Sequence, residues 1–413
     1  MRVKRWLACI PLLLVFLLAT SLLEARQLII TSWRSSAEEE IALFKEAYPE
    51  VEVQHILIPD SNIGYVERVT TMFVAGTPPD VLWVKPDVII PPMVEQGMLE
   101  DLRGWIERTP DFNPAHFHPI AMEGPFDIIT FVPYTAMPYP VFYERNVLAS
   151  AGVDEPKSGW TFDDFRSILR KITRRSPDGK VELYGYDDIG RTWQFFGHKG
   201  AAGKQIFDDT GTKVVADNPA TIAGYEFFHA LIWEDETIAG PGVEARMTNG
   251  RAAMSIWGPE VFLDRVENGE VGLVSLPAGP GGYAPFVLVE GWAMSASSTN
   301  KEDAWRFITM MTGPEVQRQF AERGGAPGNL PVMIEHAFVN HPYRDVLIEI
   351  VSQGQQYLAI PLGTQVPYAV LSEANSKFNI GAYWRNEKSL RSVIDEAVPV
   401  MQRIIDNWLQ SQR

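Results

Sequence analysis

The segment from Leu28 to Val84 admits few folds. Leu28 to Trp33 (LIITSW) is short, apolar and partly β-branched, which predicts a strand. After a turn at Arg34-Ser35, Ser36 and Glu39 stand at capping-box spacing, and Glu38 to Glu40 suit the positive start of a helix. Ile41, Phe44 and Tyr48 then recur on one face until Pro49 stops it. VEVQHILI, residues 51–58, is the next strand. Tyr65, Val69, Met72 and Phe73 mark a second helix, with Gly76 where a C-cap belongs. TPPD at 77–80 ends that helix, because proline cannot continue it and restricts the residue before it. Asp80 to Val84 is therefore a short buried strand, with Trp83 close to its end. Strand, helix, strand, helix, strand predicts a parallel sheet covered on both faces.

The alternation returns downstream. Thr161 and Asp164 cap a helix in WTFDDFRSILRKI, and Thr221 to Glu236 form another. The turn Asn249-Gly250 leads into the strand AAMSIW, which ends at Trp257. LVEGWAMSAS, residues 288–297, is a strand that feeds the helix KEDAWRFITMM. With 413 residues, 46% of them hydrophobic, the chain can build two domains with proper cores. It carries 36 basic against 52 acidic residues, a net charge of −16, and no basic run beyond its start. Nucleic acid is excluded as a partner on that balance.

Residues 1–26 read as a secretion signal. Arg2, Lys4 and Arg5 precede an apolar stretch from Ile10 to Leu23 that is short for a membrane span. Cleavage is expected after Ser21, with Ala19 at −3, or after Ala25. The alternative is an uncleaved N-terminal anchor. The only cysteine, Cys9, lies inside this stretch, so the exported chain has no disulfide, thiolate metal site or cysteine nucleophile.

Several chemical signatures fail on inspection. GHKGAAGKQ at 197–205 imitates a P-loop, yet His198 replaces its first glycine and Gln205 its hydroxyl. HFH at 116–118 and HAFVNH at 336–341 have no third metal ligand nearby, and no hydrolase elbow or zinc-protease motif occurs. A glycosidase needs two facing carboxylates. The doublets Asp163-Asp164, Asp187-Asp188 and Asp208-Asp209 read instead as a helix cap and solvated loops.

Tryptophans remain. Trp33, Trp83, Trp257 and Trp292 all lie at or near strand ends, and open parallel sheets bind ligands beyond the carboxyl ends of their strands. Aromatic faces there suit a partly apolar, polar-rimmed ligand such as a sugar. Trp105, Trp160, Trp233, Trp305 and Trp408 belong to helices or their starts and read as packing residues.

Six segments, in order, resemble the extracellular solute-binding proteins of ABC importers, specifically the maltose-binding-like family 1. They are ITSWRSSAEEEIALFKEAYPEVEV, YVERVTTMFVAGTPPDVLWV, Tyr139 to Pro156 with WTFDDF, MTNGRAAMSIWG, SLPAGPGG, and EGWAMSASSTNKEDAWRFITMMTGPEVQRQF. YPVFYERN and Met247 depart from the family pattern. The resemblance implies an α/β, two-lobe periplasmic-binding-protein fold, each lobe a mostly parallel sheet flanked by helices, joined by hinge strands. The N-terminal lobe is expected at 27–136 and 293–340, the C-terminal lobe at 137–292 and 341–413. A sugar or related polyol would sit between the lobes, touched by Trp33, Trp83, Tyr139, Trp193, Trp257 and Trp292. Trp33 and Trp83 fall on one wall, Trp257 on the other, and Trp292 near a hinge. No cofactor, metal or catalytic residue is expected. The partners would be the sugar and an integral-membrane ABC permease, and the protein a periplasmic or otherwise extracytoplasmic monomer. An exported carbohydrate-active enzyme is the alternative, followed by a binder of peptides, polyamines or phosphorylated polyols.

Overall fold

The computed structural model describes residues 26–35, 37–123, 128–196, 203–354, 360–361 and 363–413. The expected signal segment, Ser36 of the first capping box and most of the P-loop look-alike lie outside the described residues. No described helix is long and apolar enough to cross a membrane.

The opening alternation folds as its periodicity requires. β1 (Arg26–Ser32) lies parallel between β2 (Val51–Leu57) and β3 (Val81–Val84), with Ile30 opposite both His55 and Val81. Helices Ala37–Ala47 and Ile63–Val74 make the crossovers, and Gly76 takes the left-handed conformation (φ +74°) that lets the second one stop. Successive residues of a strand face opposite ways. Val81 and Trp83 therefore enter the core under helices Ala37–Ala47 and Lys301–Thr312. Leu82 and Val84 enter the core on the other face, with Tyr65 and Val69. At about 2 kcal/mol for each large side chain enclosed, both faces are strongly held.

Two long strands complete this sheet in the order β2-β1-β3-β10-β4. β4 (Phe131–Tyr139) and β10 (Phe286–Met294) are antiparallel partners, and β10 also pairs antiparallel with β3. Their register slips between Glu290 and Gly291, opposite Pro133, which has no N–H to give a ladder. A Cβ at Gly291 would come within 2.1 Å of the Val132 carbonyl, so only glycine fits this bulge.

β4 runs through Pro140 straight into β5 (Val141–Glu144), the centre of a second sheet. The short ribbon of β6 (Arg174–Arg175) and β7 (Val181–Leu183) stands apart. The second sheet has the order β8-β5-β9, with β8 at Met254–Ile256 and β9 at Val271–Val274. Here the expectation of a mostly parallel sheet is corrected, because β5 is antiparallel to both neighbours. It arrives from the first sheet without a helical crossover, and that crossover is what sets strands parallel. Val141, Tyr143, Met254 and Ile256 pack on helices Phe162–Ile172, Pro219–Trp233 and Leu390–Ser411. Thr161 and Asp164 form the predicted capping box. Phe142, Val271 and Leu273 face the other way, onto Phe262 and Leu347.

The packing role expected of the helical tryptophans holds for Trp105, Trp160 and Trp305, all 8% exposed or less. It fails for Trp233, which is 45% exposed. That residue ends its helix, its indole N–H donating to the Trp384 carbonyl at 3.1 Å and its ring 6.4 Å from that of His229.

Candidate functional site

Where β4 leaves the first sheet for the second, it and its neighbour β10 floor a cleft cavity of about 390 Å³. Arg34, Phe320, Arg323 and the turn Gly324–Ala326 supply one wall, Pro259 and Glu260 the other, and Thr135, Met137 and Glu290 the floor. The turn after β1 puts Arg34 here, as the strand-end rule requires. The β10 bulge sits beside Glu290 on the floor.

The first wall is an aromatic block threaded by charge. Arg34 stacks over Trp83 (4.4 Å) and Tyr134 (4.7 Å), and its Nη2 donates to Glu40 at 3.1 Å. The Tyr134 hydroxyl donates to the same carboxylate at 2.6 Å. Arg34 Nη1 is enclosed and has no acceptor among the described residues. Trp33 is half-buried, edge-on to Tyr65 and Trp83, with the Lys85 ammonium 5.9 Å from its ring. Lys85 in turn bonds Asn62 at 3.2 Å and pairs with Asp87 at 3.1 Å. Trp83 Nε1 donates to Glu290 at 3.2 Å.

These carboxyls share a strained electrostatic position. Burial pushes Glu290 above its ordinary range, opposed by Lys85, the Trp83 N–H and Arg34. Burial raises Asp87 too, opposed mainly by Lys85. On the second wall, Glu260 is an exposed residue lining the cleft, and partial burial of its carboxyl raises it as well. Its side chain folds back over Gly258, where a Cβ would meet the carboxylate at 2.4 Å.

The six expected ligand contacts are not gathered at one place. Trp83 and Trp292 are fully enclosed, and the expectation that they face a ligand is corrected. They stand opposite each other in the β3–β10 register, ring centroids 4.7 Å apart, so each covers the other. Trp33 is half-buried and directly precedes Arg34 of the cleft wall. Trp257 follows β8 into the second wall, half-buried against the cluster around Phe262. Tyr139 ends β4 against Phe286, 5.3 Å away. Trp193 stacks on Tyr225 at 4.5 Å, within the second lobe's aromatic core.

Asp187 and Asp188, expected in a solvated loop, are buried instead. Asp187 accepts from the Met247 backbone N–H and the Ser255 hydroxyl, and Asp188 pairs with Arg246 at 3.2 Å. The doublet fixes the turn before β8 and so carries Trp257 and Glu260 to the cleft.

Sequence reasoning passed over Arg34, Lys85, Asp87, Glu260 and Glu290. A signal was present: Lys85 and Asp87 follow the apolar VLWV directly, and Glu290 interrupts the apolar run LVEGW. A charge inside a buried strand calls for a partner or a function. Among the described residues no group of three or more metal-ligating side chains occurs.

The sequence and fold have known counterparts. A binding protein of Brucella abortus is 23% identical over 425 residues, spanning 91% of this chain and 98% of its own. The maltotriose-binding protein of Pyrococcus abyssi is 26% identical over 387 residues, 89% of this chain and 77% of that one. Among solved structures, the sugar-binding protein MalE of Xanthomonas citri superposes with a TM-score of 0.73 at 18% identity, covering 94% of this chain and all of that one (100%). The family model for bacterial extracellular solute-binding proteins matches residues 30–318. The chain therefore belongs to the bacterial extracellular solute-binding protein family.

Proposed function

We propose that this protein captures a sugar in the cleft between its two sheets and presents it to an ABC permease in the membrane. The observation that carries the reading is the cleft itself. Half-buried Trp33 lies under Lys85, which pairs with Asp87, and directly precedes Arg34 of the cleft wall; Glu290 lies on the cleft floor and Glu260 on the facing wall. A sugar offers such a site both of its surfaces. Its C–H faces lie on the indole, and its hydroxyls donate to carboxylates and accept from Lys85 and Arg34 Nη1. The maltotriose named for the Pyrococcus relative and the sugar binding named for the Xanthomonas one agree with this chemistry.

The lobes are proposed at 27–136 with 293–340 and at 137–292 with 341–413, with β4 and β10 as hinge strands. Trp257, Tyr139 and Trp193 are proposed as second-lobe contacts that closure brings nearer the ligand. Residues 1–26 act as the export signal, the protein works outside the cytoplasm as a monomer, and it needs no cofactor. It binds rather than turns over its ligand. Glu290 accepts from the Trp83 N–H and Asp87 pairs with Lys85, an arrangement suited to holding hydroxyls.

Titration calorimetry against mono- and oligosaccharides, with product analysis of each mixture, tests this. One-to-one binding without product is expected. Turnover would make the carbohydrate-active enzyme correct, and binding of peptides or polyamines alone would overturn the sugar reading.

A further inference from the structure

Glu95 closes helix Ile90–Glu95, whose Ile90 and Met93 are buried in the first-lobe core. Its own side chain is exposed and crosses to helix Tyr368–Asn375. There one carboxylate oxygen accepts from the Tyr368 backbone N–H, and the other from that of Ala369 at 3.3 Å. That second helix belongs to the opposite lobe. Leu371 and Ala374 are buried with Ile206, Phe207 and Met401, a cluster separate from the first-lobe core.

The contact therefore bridges two bodies whose covalent links run through the hinge. Amides in a helix's first turn have no partner within the helix and carry the positive end of its dipole. Here the N-cap is Pro367, which offers no side-chain acceptor, so Glu95 fills that role from across the cleft. The same contact sets Tyr368 near Asp87; burial, with the Asp87 and Glu95 carboxylates, pushes the tyrosine hydroxyl up.

We propose that Glu95 is a cross-lobe clasp, a positioning residue that holds helix Tyr368–Asn375 against the first lobe. With the clasp made, the lobes rest closed and a bound ligand leaves slowly; with it broken, the cleft opens. The effect on ligand exit rests on the proposed sugar binding, whereas the effect on lobe closure does not.

The test uses the full chain in both states. Cys9→Ser removes the only cysteine, and Arg68→Cys and Asn407→Cys place spin labels on exposed positions of opposite lobes. Glu95→Gln keeps the side chain's shape but turns an NH2 group toward one of the two amides. Glu315→Gln, which breaks a pair with Arg318 inside one helix, is the control. Electron–electron distance measurements without ligand should show the open-to-closed ratio rising about five- to tenfold in Glu95→Gln alone, the scale of an exposed charge-assisted contact. Stopped-flow with maltotriose as probe should then show faster dissociation by a similar factor at an unchanged association rate. An unchanged distance distribution in Glu95→Gln overturns the clasp. A shifted distribution with no sugar bound would leave the clasp standing and remove the sugar reading instead.

Discussion

Trp83→Ala should unfold the first lobe long before it alters recognition. The indole is completely enclosed, with Trp292 at 4.7 Å, Tyr134 at 5.5 Å and the Arg34 guanidinium at 4.4 Å. Emptying such a site costs about 3–5 kcal/mol. The lost edge-to-face pairs and the lost N–H to Glu290 place the cost at the upper end of that range. For a lobe of ordinary domain size, each kcal/mol lowers Tm by roughly 2–4 °C, so a fall of about 10–20 °C is expected. Trp83→Phe keeps most of the volume and should lose about 1–2 kcal/mol, chiefly through Glu290. Trp233→Ala, at an exposed helix end, is the control and should stay within about 1 kcal/mol. Scanning calorimetry on the three variants reads these differences directly. A Trp83→Ala protein that melts within about 3 °C of the parent would refute the core assignment, and loss of sugar affinity in that protein would restore Trp83 as a ligand platform.

Trp33→Ala should behave in the opposite way, weakening sugar binding by about 1–3 kcal/mol in calorimetry with little change in Tm, because its ring is only half-buried. Glu290 has a raised folded-state pKa, so its stabilising contribution is present at acid pH and lost as pH rises through that pKa. Glu290→Gln should therefore gain stability relative to the parent from pH 4 to pH 7 in urea titrations; a gap that narrows over that window contradicts it. Asp235 behaves conversely. Burial raises it, but Arg166 and Arg170 outweigh burial and hold it low, so its stability is present at neutral pH and lost as pH falls through the lowered pKa. Asp235→Asn should cost about 1–3 kcal/mol at pH 7 and progressively less toward acid, by the same titrations.

The strand–helix alternation from Leu28 to Val84 was legible because each crossover is local: proline stops, caps and apolar spacing all lie within a few residues of what they govern. The antiparallel centre of the second sheet was not, since β5 takes its direction from the passage through Pro140 and not from its own side chains. Trp83 shows the same limit at the site. Its place at the end of β3 was readable, but its cover comes from Trp292, which reaches it only through the long-range register of β10. Lys85 and Asp87, just after an apolar strand, and Glu290, inside one, could have been suspected as charges in need of partners. Their meeting around Trp33 depends on which strands pair, and that is decided by sheet order.

Hydrogen–deuterium exchange with and without a saturating sugar tests most directly whether the ligand lies between the lobes. Protection should appear together at 33–35 and 87–90 on the first wall, at 258–262 on the second, and at 324–326. A separate cavity of about 550 Å³ lies within the first lobe, lined by Phe112, Phe117, Thr309 and Arg318. Protection confined to that region, with the cleft segments unchanged, would contradict the account.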